Sequence, residues 1–560
     1  MRRQARRGEA GPPVNAVRRR DYPALMGVGV SPRRGASRTG VNADPVGGQQ
    51  RTDSPVVILA VAGVLALGVA LRFVTQSDLW ADEVLSVNIA RLPFGQIPEA
   101  LRHDGAPPLY YFLLHGWMKI FGTGNASVRA MSGLVGVATF VPMWCAGRRL
   151  DVRRVRMGTA PDGSRVVAWS ALLLLAMSPF AIRYSTETRM YALVILGVVL
   201  GYLAVARALE RATLGRLAIV ALVTGLLLLT HYWALPLLTV TIALLGYWAL
   251  WGDTERRRAA WRILVALGVG SLAFVPWLSS FLFQLEHTGT PWGATASPFG
   301  SWATAFKSFG GNAHLAGWIL VMLVLLGLFA AAVDGRHFSV DMATRPGVRL
   351  EAAIAVATIA VGLVVARTSG TTFEGRYASV AFPLFVLVGA FGLTVFADPR
   401  IRVMVLAGAL VLGAWGGVSN AQRNRTQAYQ LVPIIRDGAA PGDVVLFCPD
   451  AIGTDVVGRL RSDVRSVSFP SLTSPERVDW VDYEERVRAI RPRVFVERVL
   501  RMAGANAIWF VYTNNDTIAD QQCAKVADFL TLHRPGRVRE LEPDPYFFEH
   551  HGLYRYPVPA

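Results

Sequence analysis

The sequence predicts a polytopic α-helical membrane protein that ends in an α/β domain, and three observations carry that prediction. Hydrophobic residues make up 52% of the 560 and charged residues only 17%, a balance too apolar for a soluble chain of this length. Eleven apolar stretches are long enough to cross a hydrocarbon layer of roughly 30 Å. Beyond Val418 the hydropathy drops, and short apolar runs alternate with helix-like segments.

Met1 to Asp53 is rich in Arg, Gly and Pro and has no hydrophobic period, so it reads as a disordered basic tail on the cytoplasmic side rather than a cleaved signal. The membrane domain covers 54–418. Its expected spans are Pro55 to Val74, Ala126 to Ala146, Val166 to Ile182, Met190 to Leu209, Leu217 to Leu229, Trp233 to Trp251, Ile263 to Phe283, Leu315 to Val333, Leu350 to Ala366, Ala378 to Phe396 and Arg402 to Val418. One further run, Leu109 to Phe121, is about 13 residues long and bounded by Pro107, Pro108 and Gly122, too short to cross readily. Charge places it as a short interfacial helix in the first external loop, 75–125. With that assignment the loops carrying Arg148 to Arg165, Arg207 to Arg216, Arg256 to Arg262, Arg336 to Arg349 and Arg400 to Arg402 all face the cytoplasm. If the run spanned, the positive-inside bias would be reversed along most of the chain. The expectation is therefore a multi-pass protein of the cell membrane, N-terminus cytoplasmic and C-terminal domain extracytoplasmic.

The net charge of +18 is spread between apolar runs and not gathered in one folded module, so it points to membrane orientation and membrane lipids, with no nucleic-acid partner. Three cysteines lack zinc-ligand spacing. Residues 419–560 read as an extracytoplasmic α/β domain, with strands near Val444 to Phe447 and Ala507 to Tyr512 and a helix over Tyr483 to Met502. Cys448 and Cys523 both lie in it, where a bridge is possible but not dictated by sequence.

With this topology the ionisable residues collect at the outer mouths of the spans: Asp82 and Glu83, Asp104, Glu187 and Arg189, His231, and Glu374, Arg376 and Tyr377. The spans themselves carry little charge near mid-bilayer. That distribution fits an enzyme working at the outer leaflet better than an ion-coupled transporter, which needs polar groups or broken helices at the midplane. Asp82-Glu83 reads either as a solvated helix N-terminus or as holding a general base. Glu187 reads as closing its loop through Arg183 or Arg189, between the interfacial Tyr184 and Tyr191, or as part of a phosphate-binding loop whose arginine grips two oxygens. His231 reads first as part of an aromatic belt.

Five motifs in order resemble the protein O-mannosyltransferase-related branch of the type C glycosyltransferases, which includes the bacterial aminoarabinose transferases. They are Trp80-Ala81-Asp82-Glu83; Pro107-Pro108-Leu109-Tyr110-Tyr111-Phe112 with His115 and Trp117; Ser178 to Leu193; Thr230-His231-Tyr232; and Arg376-Tyr377. The resemblance spans about Pro55 to Phe396, and departs at Thr186, where Gln is usual, and at Gly105-Ala106 before the prolines. It implies a type C glycosyltransferase-like fold and transfer of a sugar, mannose first, from a polyprenyl-phosphate donor on the outer face by an inverting displacement. The acceptor would be an envelope glycan, lipoglycan or protein, as in an actinobacterial envelope mannosyltransferase. By resemblance Asp82 is the catalytic base with Glu83 its catalytic neighbour. Arg189, Arg376 and Tyr377 bind the donor phosphate, supported by the loop residues Glu187, Tyr184 and Tyr191. Asp104 and His231 fall near positions that bind a divalent metal in some relatives, and no other cofactor is expected. The alternative reading is a transporter or flippase of a lipid-linked or small solute.

Overall fold

The computed structural model of the protein describes residues 55–290, 297–333, 337–514, 516 and 518–558. The expected tail, 1–53, lies outside the described residues.

All eleven expected stretches fall on helices. Six helices are long and apolar enough to cross a membrane by length and composition: Asn125–Arg156, Tyr191–Glu210, Ala234–Trp251, Thr254–His287, Arg349–Thr368 and Pro399–Gln422. Three shorter apolar helices are Pro55–Ala70, Leu214–Leu228 and Phe382–Val395. Two further stretches are bent pairs. Val166–Ala176 and Pro179–Ser185 meet at 52°, where Pro179 opens a new helix capped by the Ser178 hydroxyl, which accepts from the Ala181 amide. His314–Phe329 is preceded by Phe299–Gly310, lying at 108° to it. That preceding helix was not expected from the sequence. Its end packs on the loop of Arg376, where the Ser308 hydroxyl donates to the Gly375 carbonyl (3.3 Å). After Phe329 a small hairpin, β1 (Ala330–Ala332) against β2 (Phe338–Val340), closes the segment.

At one end of the bundle Arg149 pairs with Glu210 (2.8 Å) and Arg153 with Glu351 (3.0 Å), joining three loops that were expected on one side. The Leu109–Phe121 helix has 13 residues, and the Leu109 amide donates to the Leu229 carbonyl at the opposite end. That opposite end gathers the Ala81–Ala90 helix and the motif loops.

The C-terminal sheet has the order β4-β3-β5-β7-β6, with β3 (Val444–Cys448), β4 (Arg465–Ser468), β5 (Ile508–Tyr512), β6 (Val538–Leu541) and β7 (Gly552–Tyr556). β3 pairs in parallel with β4 and β5, whereas β7 runs antiparallel to β5 and β6. Alternation along β3 sends Val444, Leu446 and Cys448 to one face and Val445 and Phe447 to the other. Helices Pro492–Ala503 and Asp520–His533 cover the first face, with Val496, Val499, Val526 and Leu530 in the core. Helix Ala428–Gly438 covers the second with Leu431 and Ile435. Because both faces are covered, β3 is buried along its whole length. Cys448 at the end of β3 is bridged to Cys523 on the Asp520–His533 helix.

Two sequence expectations shift. The single helix over Tyr483 to Met502 is two, Tyr483–Ala489 and Pro492–Ala503, because Pro492 disfavours helical backbone at the residue before it. The last span of the bundle runs on to Gln422 rather than stopping at Val418.

Membrane and C-terminal parts form one compact unit from Pro55 onward. The Asn88 amide donates to the Glu476 carbonyl (2.8 Å), the Trp480 amide to that of His103 (3.0 Å) and the Asp482 amide to that of His287 (2.8 Å).

One carboxyl inside the C-terminal domain sets a pH dependence. Asp450 is buried, and burial pushes it up to about 7 despite the Tyr483 hydroxyl donated to it (2.6 Å). Its folded value exceeds its unfolded one, so between roughly pH 4 and 7 the folded state holds the extra proton and loses stability as pH rises, by at most about 1.4 kcal/mol per pH unit. The apparent melting temperature should therefore fall from pH 5 to pH 8 less steeply in Asp450→Asn than in the parent protein. Parallel curves would remove Asp450 as the cause.

Candidate active site

Asp82 and Glu83 open the Ala81–Ala90 helix, and their neighbours separate their roles. Glu83 is fully buried. Arg129 grips it with two hydrogen bonds, Nε to Oε1 (2.8 Å) and Nη2 to Oε2 (2.5 Å), while the Thr188 amide donates to Oε1 (2.8 Å) and Arg425 stands 3.7 Å away. Burial alone would lift its carboxyl; the Arg129 guanidinium outweighs that and, with Arg425 and the Thr188 amide, holds it below the usual carboxylate range. Of the two acidic residues expected to act in chemistry, Glu83 is therefore the enclosed one.

Asp82 is the exposed member of the pair, with 28% of its side chain accessible. Arg376 donates to its Oδ2 at 3.0 Å and Arg189 approaches the same oxygen at 3.8 Å. Arg189 is held in place by the Ser86 hydroxyl (3.1 Å) and the Asp82 carbonyl (3.4 Å). Burial would lower both guanidiniums, but the surrounding acidic and phenolic groups, Asp82 foremost for Arg189 and Tyr191 for Arg376, raise them above their ordinary value. Both stay cationic.

Around these three charges stand the remaining predicted residues. The Tyr191 ring lies 5.5 Å from that of His231, which lies 5.7 Å from that of Tyr377, itself stacked on Trp233. Tyr184 packs on Tyr191 (4.9 Å) and on Phe180 (4.7 Å). Glu187 is buried and pairs with Arg183 (3.0 Å), so of the two arginines that could close its loop it is Arg183 that does.

Asp104 accepts from the Tyr111 hydroxyl (3.1 Å). Burial pushes it up to about 6, opposed by Arg189 and reinforced by the charge of Asp82. His231 accepts from the Trp233 amide at Nδ1 (3.1 Å) and is pushed down to about 3, by burial first and then by Arg189 and Arg376, so its imidazole is neutral. Among the described residues Asp104 and His231 belong to no group of three His, Cys, Asp or Glu side chains with converging ligand atoms, and the charge of Arg189 bears on both.

Two arginines carry much of the architecture without having been predicted. Arg129 is a lone charge opening an apolar helix. Arg425, just past the last span, donates to the Thr186 hydroxyl (2.7 Å) and carbonyl (3.0 Å) and lies 3.7 Å from both Glu83 and Glu187. Thr186, the departure from the resembled motif, is thereby the contact that ties this loop to Arg425 and to Asn420 (3.2 Å).

A small apolar cavity of about 40 Å³ lies between helices, lined by Met177, Pro179, Phe309, Leu320, Phe382 and Leu410 among others. Phe180 joins it to the polar cluster: its ring contacts Phe309 and Phe382 on one side and Tyr184 on the other.

A helical membrane bundle with its charged loops gathered at one end under an α/β domain is the type C glycosyltransferase-like fold expected from the sequence. Among solved structures the chain is similar to ArnT from Cupriavidus metallidurans in the apo state, with a TM-score of 0.54 and 12% identity over 90% of this chain and 99% of that one. ArnT from the same organism bound to undecaprenyl phosphate gives 0.48 and 13% identity over 90% and 99% of the two chains. The arabinosyltransferase EmbB from Mycobacterium smegmatis gives 0.36 and 15% identity over 67% of this chain and 39% of that one. No protein-family model matches the chain, and no curated protein matches it in sequence.

Proposed function

We propose that the protein transfers a sugar, mannose first among candidates, from a polyprenyl-phosphate donor to an envelope glycan, lipoglycan or protein acceptor, with inversion at the anomeric carbon. The observation that carries this reading is one partly exposed carboxylate, Asp82, held between two guanidiniums, Arg189 and Arg376. The acceptor hydroxyl attacks the anomeric carbon as the bond from that carbon to the phosphate oxygen breaks. Its proton passes to Asp82. The departing polyprenyl phosphate gains negative charge, which Arg189 and Arg376 are placed to stabilise, while the prenyl chain would lie along apolar surface between helices. Tyr377, stacked on Trp233, walls the donor pocket. No step is routed through a metal. The positive-inside distribution supports placing this site on the outer face of the cell membrane, the basic tail in the cytoplasm and the C-terminal domain outside. Nucleotide sugars are not expected there, which is why a lipid-linked donor fits.

Membranes carrying the protein, incubated with radiolabelled polyprenyl-phosphate mannose, should move label to an acceptor. Label that crosses the bilayer unchanged would favour the transporter reading, and label that does neither would overturn both. Arg189→Gln and Arg376→Gln should each lower kcat/KM for the donor by about 100-fold, or roughly 2.7 kcal/mol of transition-state stabilisation. Donor kinetics unchanged in both would remove them from phosphate binding.

A further inference from the structure

A second cluster of ligand-type side chains lies in the C-terminal domain, on its seam with the catalytic helix. Asp455 sits on the Thr454–Val457 helix, and Glu549 and His551 on the segment leading into β7. One ligand atom from each lies within 4.8 Å of the others. Asp455 is 2% exposed and His551 fully buried, while Glu549 is partly exposed.

The polar atoms here are only half satisfied. The Thr426 hydroxyl donates to Asp455 Oδ2 (2.6 Å), but Oδ1 of the same carboxylate is buried with no hydrogen-bond partner. His551 Nε2 lies 3.2 Å from the Ile452 carbonyl, which fixes a proton on Nε2. Nδ1 is then a bare lone pair, also buried and also without a hydrogen-bond partner. Nε2 is also the ring nitrogen that faces Asp455, 3.9 Å from Oδ1, so an ion bound there would take the place of its proton and leave the ring protonated at Nδ1.

We infer that Asp455, Glu549 and His551 bind one divalent transition-metal ion, of the zinc, manganese or iron class. Two carboxylate oxygens and one imidazole nitrogen suit those ions better than calcium or magnesium, which take oxygen ligands in larger number. Glu549, the partly exposed ligand, gives the ion its way in. The site acts on structure: Glu549 Oε2 accepts from the Ala81 amide (3.2 Å), immediately before Asp82, and the Phe548 ring meets Trp80 edge-on at 5.1 Å. An ion holding Glu549 to Asp455 therefore fixes the strand that buttresses the N-terminus of the helix carrying Asp82. The inference rests on no assignment of sugar, acceptor or reaction.

The test uses untagged full-length protein in nanodiscs, stripped with a chelator and titrated with Co²⁺ and Mn²⁺. The His231→Ala background is run alongside, so that a cation at the polar cluster is counted separately. One equivalent should bind in both, with a rise in melting temperature, and Mn²⁺ should show the ¹⁴N coupling of a directly bound imidazole. Asp455→Asn and His551→Gln should each weaken binding at least 100-fold, while Asp463→Asn, an exposed carboxylate elsewhere in the domain, should leave it unchanged. Stripped protein that takes up neither ion at micromolar concentration, or variants that keep full stoichiometry, would overturn the site. Should the variants fail to fold, a Mn²⁺ signal without ¹⁴N coupling in the His231→Ala background overturns it equally.

Discussion

Asp82→Asn is expected to reduce sugar transfer by at least 1,000-fold while leaving membrane insertion and donor binding in place. The substitution keeps the shape of the side chain and its place between Arg189 and Arg376, but removes the lone-pair base that takes the acceptor's proton. General-base contributions are typically worth about 100- to 10,000-fold, and loss of the negative charge also unbalances the two guanidiniums, which places the effect in the upper part of that range. Binding of donor, read from protection against thermal unfolding by the polyprenyl-phosphate sugar, should persist or tighten, because the phosphate no longer competes with a carboxylate for the arginines. Transfer within tenfold of the parent rate would remove Asp82 from the mechanism. The matching Glu83→Gln variant separates chemistry from scaffolding. Its loss of activity should track loss of folded protein, since Glu83 is enclosed by Arg129, Arg425 and the Thr188 amide.

The largest stability effect should come from Arg129→Ala. Removing this guanidinium strands Glu83, a fully buried carboxylate, without its two-pronged partner, and also leaves the Ser77 and Asp78 carbonyls without their donor. Breaking one side of a buried ion pair costs about 3–5 kcal/mol, far more than the pair contributes over an apolar replacement of both partners. The single variant should thus unfold at markedly lower denaturant, whereas Arg129→Met combined with Glu83→Leu should recover much of the loss. Equal stability of Arg129→Ala and the parent would show that Glu83 finds another partner, for which Arg425 at 3.7 Å is the candidate.

Arg129 and Arg425 mark where reading the sequence stopped. The motif residues could be found because they recur in a recognisable order at the mouths of alternate spans, and the loops that carry them do meet. A lone arginine next to an apolar helix has no pattern, and its meaning depends on which distant carboxylate it reaches: Glu83 for Arg129, both Glu83 and Glu187 for Arg425. The helix Phe299–Gly310 was hidden for a related reason, since a segment packed across the end of a bundle need not match the length of the bilayer. The Asp455, Glu549 and His551 cluster draws on residues about 95 positions apart, brought together by strand pairing that no local spacing announces.

Hydrophobic run length and the placement of arginines were enough, from the sequence alone, to find the apolar helices, to single out the short helix over Leu109 to Phe121, and to group the loops where the polar residues collect. These are one-dimensional quantities, read against a hydrocarbon layer of nearly constant thickness. The difference in enclosure between Asp82 and Glu83 was decided only in three dimensions. Neighbours on a helix point about 100° apart, so one carboxylate enters a closed shell of donors while the other stays partly accessible between Arg189 and Arg376.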